Sequence, residues 1–369
     1  MMEQDIYWYW LNNIEGIGRA AIRRLLEEYE EPCYIYEEAD DREIACLLQT
    51  LDLSAYEASK DSERLRREFE NLKKKGVRFT YPGKEDYPER LYNIPDAPLG
   101  MYYKGFLPET TQKAIAIIGA RNCSRYGREM ARFFGRELAK CNIAVISGLA
   151  RGIDGMGHQG ALEGNGYTLG VLGCGVDIVY PTENYELFMK MERQGGIISE
   201  SNIGIQPFPG LFPQRNRLIA GMSDGILVIE AREKSGTFIT VDQGLEQGKE
   251  IFALPGKLTD SKSAGCNNLI KMGAHLVTEV SDVLEVIHCH NKEAHYMNTI
   301  DEASDTKRKN TLAPNEKMVY SCLQIEPKYL DDIIKEVGIA PQDVCMLLNQ
   351  LMLKRLIVEP NRNYYAIKL

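Results

Sequence analysis

The region between residues 113 and 288 alternates short apolar runs with segments of helical periodicity. Seven runs have the length and composition of buried strands: 114–118, 143–147, 168–172, 196–199, 226–230, 251–254 and 275–277. Between most of them, apolar residues recur at helical spacing over 125–140, 153–163, 184–193, 215–222, 238–247 and 267–272. Continuous apolar strands separated by helices predict an α/β fold with a parallel sheet as the core of residues 113–288.

The segments that flank this core have different patterns. Residues 1–75 show helical periodicity, which predicts a helical N-terminal domain of the helix-hairpin-helix or SAM-like type. Residues 76–112 contain five prolines and several apolar anchors, so we expect a connector that packs on the core. Residues 289–311 are polar and predict a linker.

The last segment, residues 312–369, has three helical patterns followed by two short strands. Three helices and a β-hairpin predict a winged-helix domain, whose third helix would be the one to read DNA. That helix, PQDVCMLLNQLML, contains no basic residue. We therefore favour a packing or protein-binding role for this domain, with DNA contact as the alternative.

A second possible DNA-binding element is the tripeptide Gly16-Ile17-Gly18, which predicts a tight turn between the first two helices. It resembles the helix-hairpin-helix element that holds a nucleic-acid backbone through turn amides. Acidic runs follow it at residues 27–31 and 37–41. A plain turn between helices is therefore favoured over DNA contact.

The net charge of −9 at pH 7 argues against a nucleic-acid partner, but the charges are unevenly distributed. Residues 1–112 contain 15 basic and 23 acidic side chains, whereas residues 113–157 contain eight basic and three acidic ones. Because salt screens charges beyond about 8–10 Å, a locally basic surface can persist in an acidic chain. The composition thus argues against a broadly basic coating and permits a confined basic site.

Nine cysteines are scattered without a CxxC pair, which indicates reduced thiols in a cytoplasmic protein. No stretch approaches the roughly 18 apolar residues of a membrane span, and the N-terminus lacks a signal-peptide pattern. His288, Cys289 and His290 cluster without a further ligand at metal-binding spacing. We expect a cytoplasmic protein without a membrane span or a metal.

Glycine, arginine and hydroxyl residues follow the predicted strands at their carboxyl ends. The first strand leads into Gly119, Arg121 and Ser124, and Ser124 suits the N-cap of the next helix. Amides at a helix start attract anions, and an arginine adds a bidentate phosphate donor. Since carboxyl-end loops of α/β sheets form the ligand crevice, this loop predicts a phosphate site.

The same combination of glycine, hydroxyl and basic residues recurs in three later segments. One follows the second predicted strand, one precedes the strand at 226–230, and one follows that strand. The candidate phosphate-binding residues are Gly119, Arg121, Ser124, Ser147, Gly148, Arg151, Arg215, Asn216, Arg217, Lys234, Ser235, Gly236 and Thr237. Phe208 and Phe212 are candidates for base stacking, although core packing is the more frequent role. His158 follows Asp154 by one helical turn, and a structural role is favoured over that of a general base.

Established nucleotide-binding and catalytic motifs are missing. The first loop lacks GxGxxG, and Ser147-Gly148 stands where a ribose-binding acid would be expected, which argues against NAD. GxxxxGK[ST], a nucleophile elbow and Ser/His/Asp spacing are also missing. We therefore expect a binding protein with no cofactor and no catalytic residue.

Seven motifs occur in an order that resembles the DprA family, also called Smf: GARNCSRYG, SGLARGID, LGCGVDIVYP, SE, FPQRNRLIAG, SGTFIT and FALPG. Together with the lead-in at residues 86–105, the resemblance covers roughly residues 85–278. The resemblance implies an extended Rossmann-like fold that commonly forms homodimers. It also implies binding of incoming single-stranded DNA during natural transformation, its protection, and loading of the RecA recombinase onto it.

The resemblance places DNA on Gly119–Arg121, Ser147–Arg151 and Arg215–Arg217. The chain departs from the family at Met156-Gly157, where two small residues are usual. An enzyme is the competing class, because the LOG-type phosphoribohydrolases share a related fold and the motif PGGxGTxxE. Thr240 stands where that motif has its acid, and a threonine hydroxyl cannot replace a general acid at neutral pH. Binding is therefore favoured over catalysis.

Overall fold

A computed structural model describes residues 2–48, 52–287, 312–354 and 356–367. The predicted linker at 289–311 and the cluster His288, Cys289 and His290 lie outside these described residues. In the described part, no helix is long and apolar enough to cross a bilayer.

The N-terminal segment is helical, as its periodicity predicts. Its helices are α1 (Gln4–Asn12), α2 (Arg19–Tyr29), α3 (Pro32–Glu37), α4 (Asp41–Leu47), α5 (Leu53–Ser59) and α6 (Ser62–Lys74). Asp52 and Asp61 accept hydrogen bonds from amides at the starts of α5 and α6, as N-cap carboxylates do. Trp10 and Tyr56 are buried between the helices, and the Trp10 indole donates to the Ser59 hydroxyl at 2.8 Å.

A nine-stranded sheet forms the centre of the molecule. Its strands are β1 (Arg78–Thr80), β2 (Met101–Gly105), β3 (Ala114–Ile118), β4 (Ala144–Ser147), β5 (Thr168–Val171), β6 (Gly196–Ser199), β7 (Gly225–Val228), β8 (Glu250–Ala253) and β9 (His275–Leu276). Their order is β1-β2-β6-β5-β4-β3-β7-β8-β9, and all pairs from β6 to β9 are parallel. The chain order reverses at β3, as in Rossmann-like sheets.

Helices connect the parallel strands. They are α7 (Arg125–Lys140), α8 (Ile153–Glu163), α9 (Tyr185–Gln194), α10 (Leu211–Gly221), α11 (Thr237–Glu246), α12 (Ala264–Lys271) and α13 (Val280–Val286). Strands β3 to β7 are buried along their whole length, which explains their continuous apolar sequences. The predicted α/β fold is thus confirmed, and α10 and α12 begin three or more residues earlier than the sequence suggested.

Two strands of the sheet differ from the sequence expectation. Residues 76–112 were expected to form an extended connector, but β1 and β2 lie within them and pair antiparallel. Strand β2 also pairs antiparallel with β6, with Tyr102 opposite Ser199. The sheet is therefore mixed at this edge, and the prolines lie in the segment between the two strands and after them.

Small residues bring α8 close to its neighbours. A side chain on Gly160 would collide with the Arg132 carbonyl of α7, and one on Gly157 would lie 3.1 Å from Ile117 of β3. The departure Met156-Gly157 therefore keeps a small residue on the face that packs against the sheet, while Met156 is partly exposed. The departure is compatible with close packing of α7, α8 and β3.

The C-terminal segment consists of three helices and a three-stranded sheet. The helices are α14 (Pro314–Ser321), α15 (Leu330–Val337) and α16 (Pro341–Leu353), and the strands are β10 (Lys328–Tyr329), β11 (Ile357–Asn361) and β12 (Tyr364–Ile367). The exposed side chains of α16 include Gln342, Asp343 and Met346. Its assignment as a winged-helix domain, and the assignment of its partner, remain predictions.

Candidate functional site

A pocket of about 500 Å³ opens beside the point where the order of the strands reverses. It lies between the loop after β3, the loop before α11, and the first turns of α10. Its lining residues include Gly119, Arg121, Asp154, Phe212, Arg215, Asn216, Ser235, Gly236, Thr237 and Thr240. The carboxyl ends of β3 and β7 meet here, where open α/β sheets bind their ligands.

Arg121 is the exposed cation of this pocket. Its guanidinium carbon lies 5.2 Å from the centre of the Phe212 ring, within the range of a cation–π contact. The Tyr180 ring stacks on Phe212 with 5.8 Å between ring centres and 22° between planes. A neighbouring cleft runs past these rings and is lined by Gly148 and Arg151. Arg121 and Phe212 therefore place a charge and an aromatic ring in contact within one pocket.

The start of α11 lies at the pocket. Ser235, Gly236 and Thr237 line the pocket, and the N-cap residue Gly236 has no side chain to bond the first amides. The first amides of the helix have partners within the chain. The Thr237 amide donates to the Ser235 hydroxyl at 3.2 Å, and the Phe238 and Ile239 amides donate to the carbonyls of Ser235 and Gly236 at 3.1 and 3.2 Å. A helix start of this kind favours an anion. Lys234 is exposed on the same loop but does not line the pocket.

Arg215 lines the pocket, but its guanidinium is hydrogen-bonded to backbone carbonyls beneath the pocket loops. It is only 6% exposed, and its Nη1 donates to the Gly148 carbonyl at 2.9 Å and to the Val171 carbonyl. Burial lowers the pKa of Arg215 to about 10, with Arg121 acting in the same direction and Asp154 opposing it. Arg215 is therefore charged at neutral pH and joins the loops that follow β4 and β5.

Asp154 also stabilises the loop after β4. Its carboxylate accepts a hydrogen bond from the Gly148 amide at 3.1 Å and is 8% exposed. Burial raises the pKa of Asp154, while Arg215 and the amides of the loop oppose the rise. Below it, the Ser147 hydroxyl donates to the Ile117 carbonyl at 2.6 Å and links β4 to β3. Ser147 is fully buried and does not reach the pocket.

His158 is a buried structural residue in this arrangement. The Thr168 hydroxyl donates to the Val145 carbonyl at 2.7 Å, so His158 Nδ1 must donate to the Thr168 oxygen, 2.6 Å away. Burial, reinforced by Arg215, lowers the pKa of His158 to about 3, so the ring is neutral. The ring packs below the loops and does not line the pocket.

Ser124 occupies a different environment from the one its sequence suggests. Its hydroxyl caps α7 by accepting from the Gly127 amide at 2.9 Å, as expected for an N-cap. Its own amide donates to Glu230 Oε2 at 2.8 Å, and its hydroxyl donates to the other oxygen of Glu230. The anion position at the start of α7 is thus filled by a carboxylate of the chain itself.

Arg217 points away from the pocket, into a network between the N-terminal helices and the sheet. It is 6% exposed and bonds Glu200 at 2.6 Å, with Asp96 3.5 Å away. Arg19, which follows the Gly16-Ile17-Gly18 turn, pairs with the same two acids. The helical hairpin therefore docks on the core through its first basic residue.

The structure divides the predicted site residues into two groups. Gly119, Arg121, Gly148, Arg151, Arg215, Asn216, Ser235, Gly236 and Thr237 line the pocket or its neighbouring cleft, whereas Ser124, Ser147, Arg217 and Lys234 do not. Tyr180 and Glu230 also belong to this region but are not among the residues that the sequence predicted for the site. Glu230 had one sequence signal, since an acid ended an otherwise apolar predicted strand.

The sequence model of the family described as DNA recombination-mediator protein A matches residues 78–288, more than half of the chain. The chain belongs to this family. The matched range contains every residue that lines the pocket. The family assignment agrees with the resemblance to DprA and Smf proteins that the seven motifs indicated.

Individual relatives show how far the similarity extends. Protein Smf of Synechocystis is 30% identical, and the alignment covers 98% of each chain. The crystal structure of DNA processing protein A from Streptococcus pneumoniae superposes with a TM-score of 0.68 at 32% identity, over 77% of this chain and 98% of that one. A Helicobacter pylori DNA processing protein A, whose structure addresses its single-stranded DNA binding mode, gives a TM-score of 0.51 at 28% identity over 57% and 95%.

Proposed function

We propose that this recombination mediator binds single-stranded DNA in the pocket beside Arg121. The observation that carries the proposal is the juxtaposition of three features in one pocket: the Arg121 guanidinium, the Phe212 ring, and the N-terminus of α11. A cation and helix amides suit a phosphate, and an aromatic face suits a base. The H. pylori relative supports the choice of DNA as ligand.

The geometry favours single strands over duplexes. Arg121 and Arg151 are exposed at the rim, but Arg215 and the Phe212 ring lie deeper, and the Phe212 ring already stacks on Tyr180. Base faces in a duplex are covered by their neighbours, whereas an unpaired base can enter a pocket and stack. Sequence preference should be low, because the pocket contacts would be to phosphates and to π faces that every base has.

The test is the affinity of the full chain for a labelled single-stranded oligonucleotide, measured by fluorescence anisotropy. Arg121→Ala should weaken binding by about tenfold or more, since it removes a charge-assisted phosphate contact. Arg128→Ala is the matched control, because Arg128 is also exposed on the same loop–helix unit but does not line the pocket. Equal losses in both variants, or no loss with Arg121→Ala, would contradict the proposal.

We further propose that the protein protects incoming DNA and loads RecA onto it during natural transformation, acting in the cytoplasm as a homodimer. Family membership supports the mediator role. Exposed apolar side chains support self-association: Met272 is 79% exposed and Leu276, on the edge strand β9, is 50% exposed. RecA loading is tested by the lag of RecA-driven strand exchange on DNA coated with single-strand-binding protein, which the wild-type chain should shorten.

The enzyme alternative has less support. Thr240 is buried at the pocket where a nucleotide-cleaving relative would place its acid, and the Asp154 carboxylate accepts a hydrogen bond from the Gly148 amide. We propose that the pocket binds without cleaving. Release of a free base from nucleoside monophosphates by the wild-type chain, and its loss with Asp154→Asn, would reinstate the phosphoribohydrolase hypothesis.

A further inference from the structure

Glu230 lies at the position where Rossmann-like folds hold nucleotide phosphates. In those folds the diphosphate sits on the N-terminus of the helix that follows the first parallel strand. Here that helix is α7, and the Glu230 side chain extends to its first turn from the end of β7. Glu230 is 2% exposed, so its carboxylate is shielded from solvent.

Both carboxylate oxygens of Glu230 are engaged by the start of α7. One accepts from the Ser124 amide at 2.8 Å, and the other accepts from the Ser124 hydroxyl. Gly127 makes room for the group, because a Cβ at this residue would lie 2.5 Å from Glu230 Cδ. Among the described residues, no lysine or arginine forms an ion pair with Glu230. The buried charge is therefore stabilised by hydrogen bonds and by the helix dipole.

The helix on the other side of the strand reversal has no such internal anion. The N-cap residue of α11 is Gly236, and its first amides donate to the Ser235 hydroxyl and to the carbonyls of Ser235 and Gly236. Among the described residues, no carboxylate bonds these amides. This end of α11 opens into the pocket with Arg121 opposite. The two helix starts that flank the reversal thus differ in charge: α7 carries an internal carboxylate, and α11 faces the cationic Arg121 across the pocket.

We propose that Glu230 is a specificity-determining residue that acts as a built-in substitute for a phosphate. It closes the start of α7 to the phosphates of free mononucleotides and dinucleotides. A ligand phosphate is then directed to Arg121 and the positive end of α11, which line the pocket. The closure of α7 does not depend on the proposed function, since it concerns an anion position that DNA is not proposed to use.

The proposal is tested with inorganic sulfate, in the full chain and without DNA. Glu230→Ala vacates the position, whereas Glu230→Gln fills it with a neutral side chain of the same shape. Both variants are made in an Arg121→Ala background, so that sulfate bound at the pocket contributes little to the change in thermal midpoint. The thermal midpoint is compared in sodium sulfate and in sodium chloride of equal ionic strength.

Glu230→Ala should melt below its parent in chloride, and sulfate should raise its midpoint by about 2–4 °C more than it raises the parent. Glu230→Gln should respond to sulfate as the parent does. An equal response of all three proteins would overturn the proposal. If Glu230→Ala does not fold in sodium chloride, the variant is refolded in sodium sulfate. Recovery of the folded protein in sulfate supports the proposal, and failure to fold in both salts contradicts it.

Discussion

At the scale of single residues, the candidate site depends on how each side chain is oriented, which the sequence pattern does not specify. Arg215 and Arg217 are two positions apart on α10, so they point to different sides of the helix. Arg215 braces the pocket loops, and Arg217 joins the interdomain network. Both arginines matched a basic motif, but the motif alone could not assign them to different partners.

The buried His158 gives a pH prediction at this scale. Its folded pKa of about 3 lies below the ordinary value of about 6.5, so the unfolded chain binds a proton in that window that the folded chain does not. Stability should therefore fall as the pH drops from 6.5 toward 3, by up to about 1.4 kcal/mol per pH unit from this residue.

The measurement is the free energy of urea unfolding at several pH values, for wild type and for His158→Gln. The variant lacks the titrating ring, so its stability should decline less steeply with falling pH. Its stability at pH 7 should be lower than that of wild type, because a buried side chain has been replaced. Parallel pH profiles for the two proteins would show that His158 does not contribute.

At the scale of elements, the alternation of apolar runs and helices was sufficient to place β3 to β9 and α7 to α12. Fully buried parallel strands have continuous apolar sequences, so their positions follow from composition. Strands β1 and β2 were missed because they lie among prolines and pair antiparallel at one side of the sheet. Contacts between distant segments, such as that of Glu230 with Ser124, depend on the order of strands in the sheet. The local sequence around either residue therefore does not predict them.

The network around Arg217 gives a prediction for α10. Arg217→Met leaves Glu200 partly buried with one cationic partner fewer, which should cost about 3 kcal/mol, the lower end of the range for breaking a buried pair. Because Arg217 does not reach the pocket, the salt dependence of DNA binding should not change. Urea unfolding and a salt series of oligonucleotide binding measure the two effects.

Arg151→Met is the informative comparison for this experiment. Arg151 is exposed, and among the described residues its ion-pair partner is the exposed Glu183, so its loss should leave stability within about 0.5 kcal/mol of wild type. It lines the cleft beside Tyr180, and its loss should make the salt dependence shallower. If Arg217→Met reduced the salt dependence as Arg151→Met does, Arg217 would be a DNA ligand after all.

At the scale of the whole molecule, an acidic N-terminal third is compatible with a basic pocket because the two regions contact different partners. The N-terminal helices use Arg19 to dock on Asp96 and Glu200, while the exposed cations near the pocket belong to the core. Net charge therefore says little about this site. A confined pocket, rather than a basic coating, fits a chain with a charge of −9.

The proposed homodimer gives a prediction at this scale. Leu276→Asp places a charge on the exposed face of edge strand β9 and should convert a dimer into a monomer, because charged groups are disfavoured at an interface core. Leu353→Asp is the control, since Leu353 is 84% exposed but lies on α16 in the C-terminal segment. Light scattering after size exclusion measures the mass. A dimer that persists with Leu276→Asp would place the interface elsewhere.

The most direct test of the central claim is the salt dependence of binding to a single-stranded oligonucleotide and to its duplex. Each phosphate neutralised on a single strand contributes about −0.7 to the slope of log affinity against log salt concentration. Wild type should bind the single strand more tightly at every salt concentration, and Arg121→Ala should make that slope shallower by about 0.7. Equal binding to both forms, with a slope that Arg121→Ala leaves unchanged, would contradict the account.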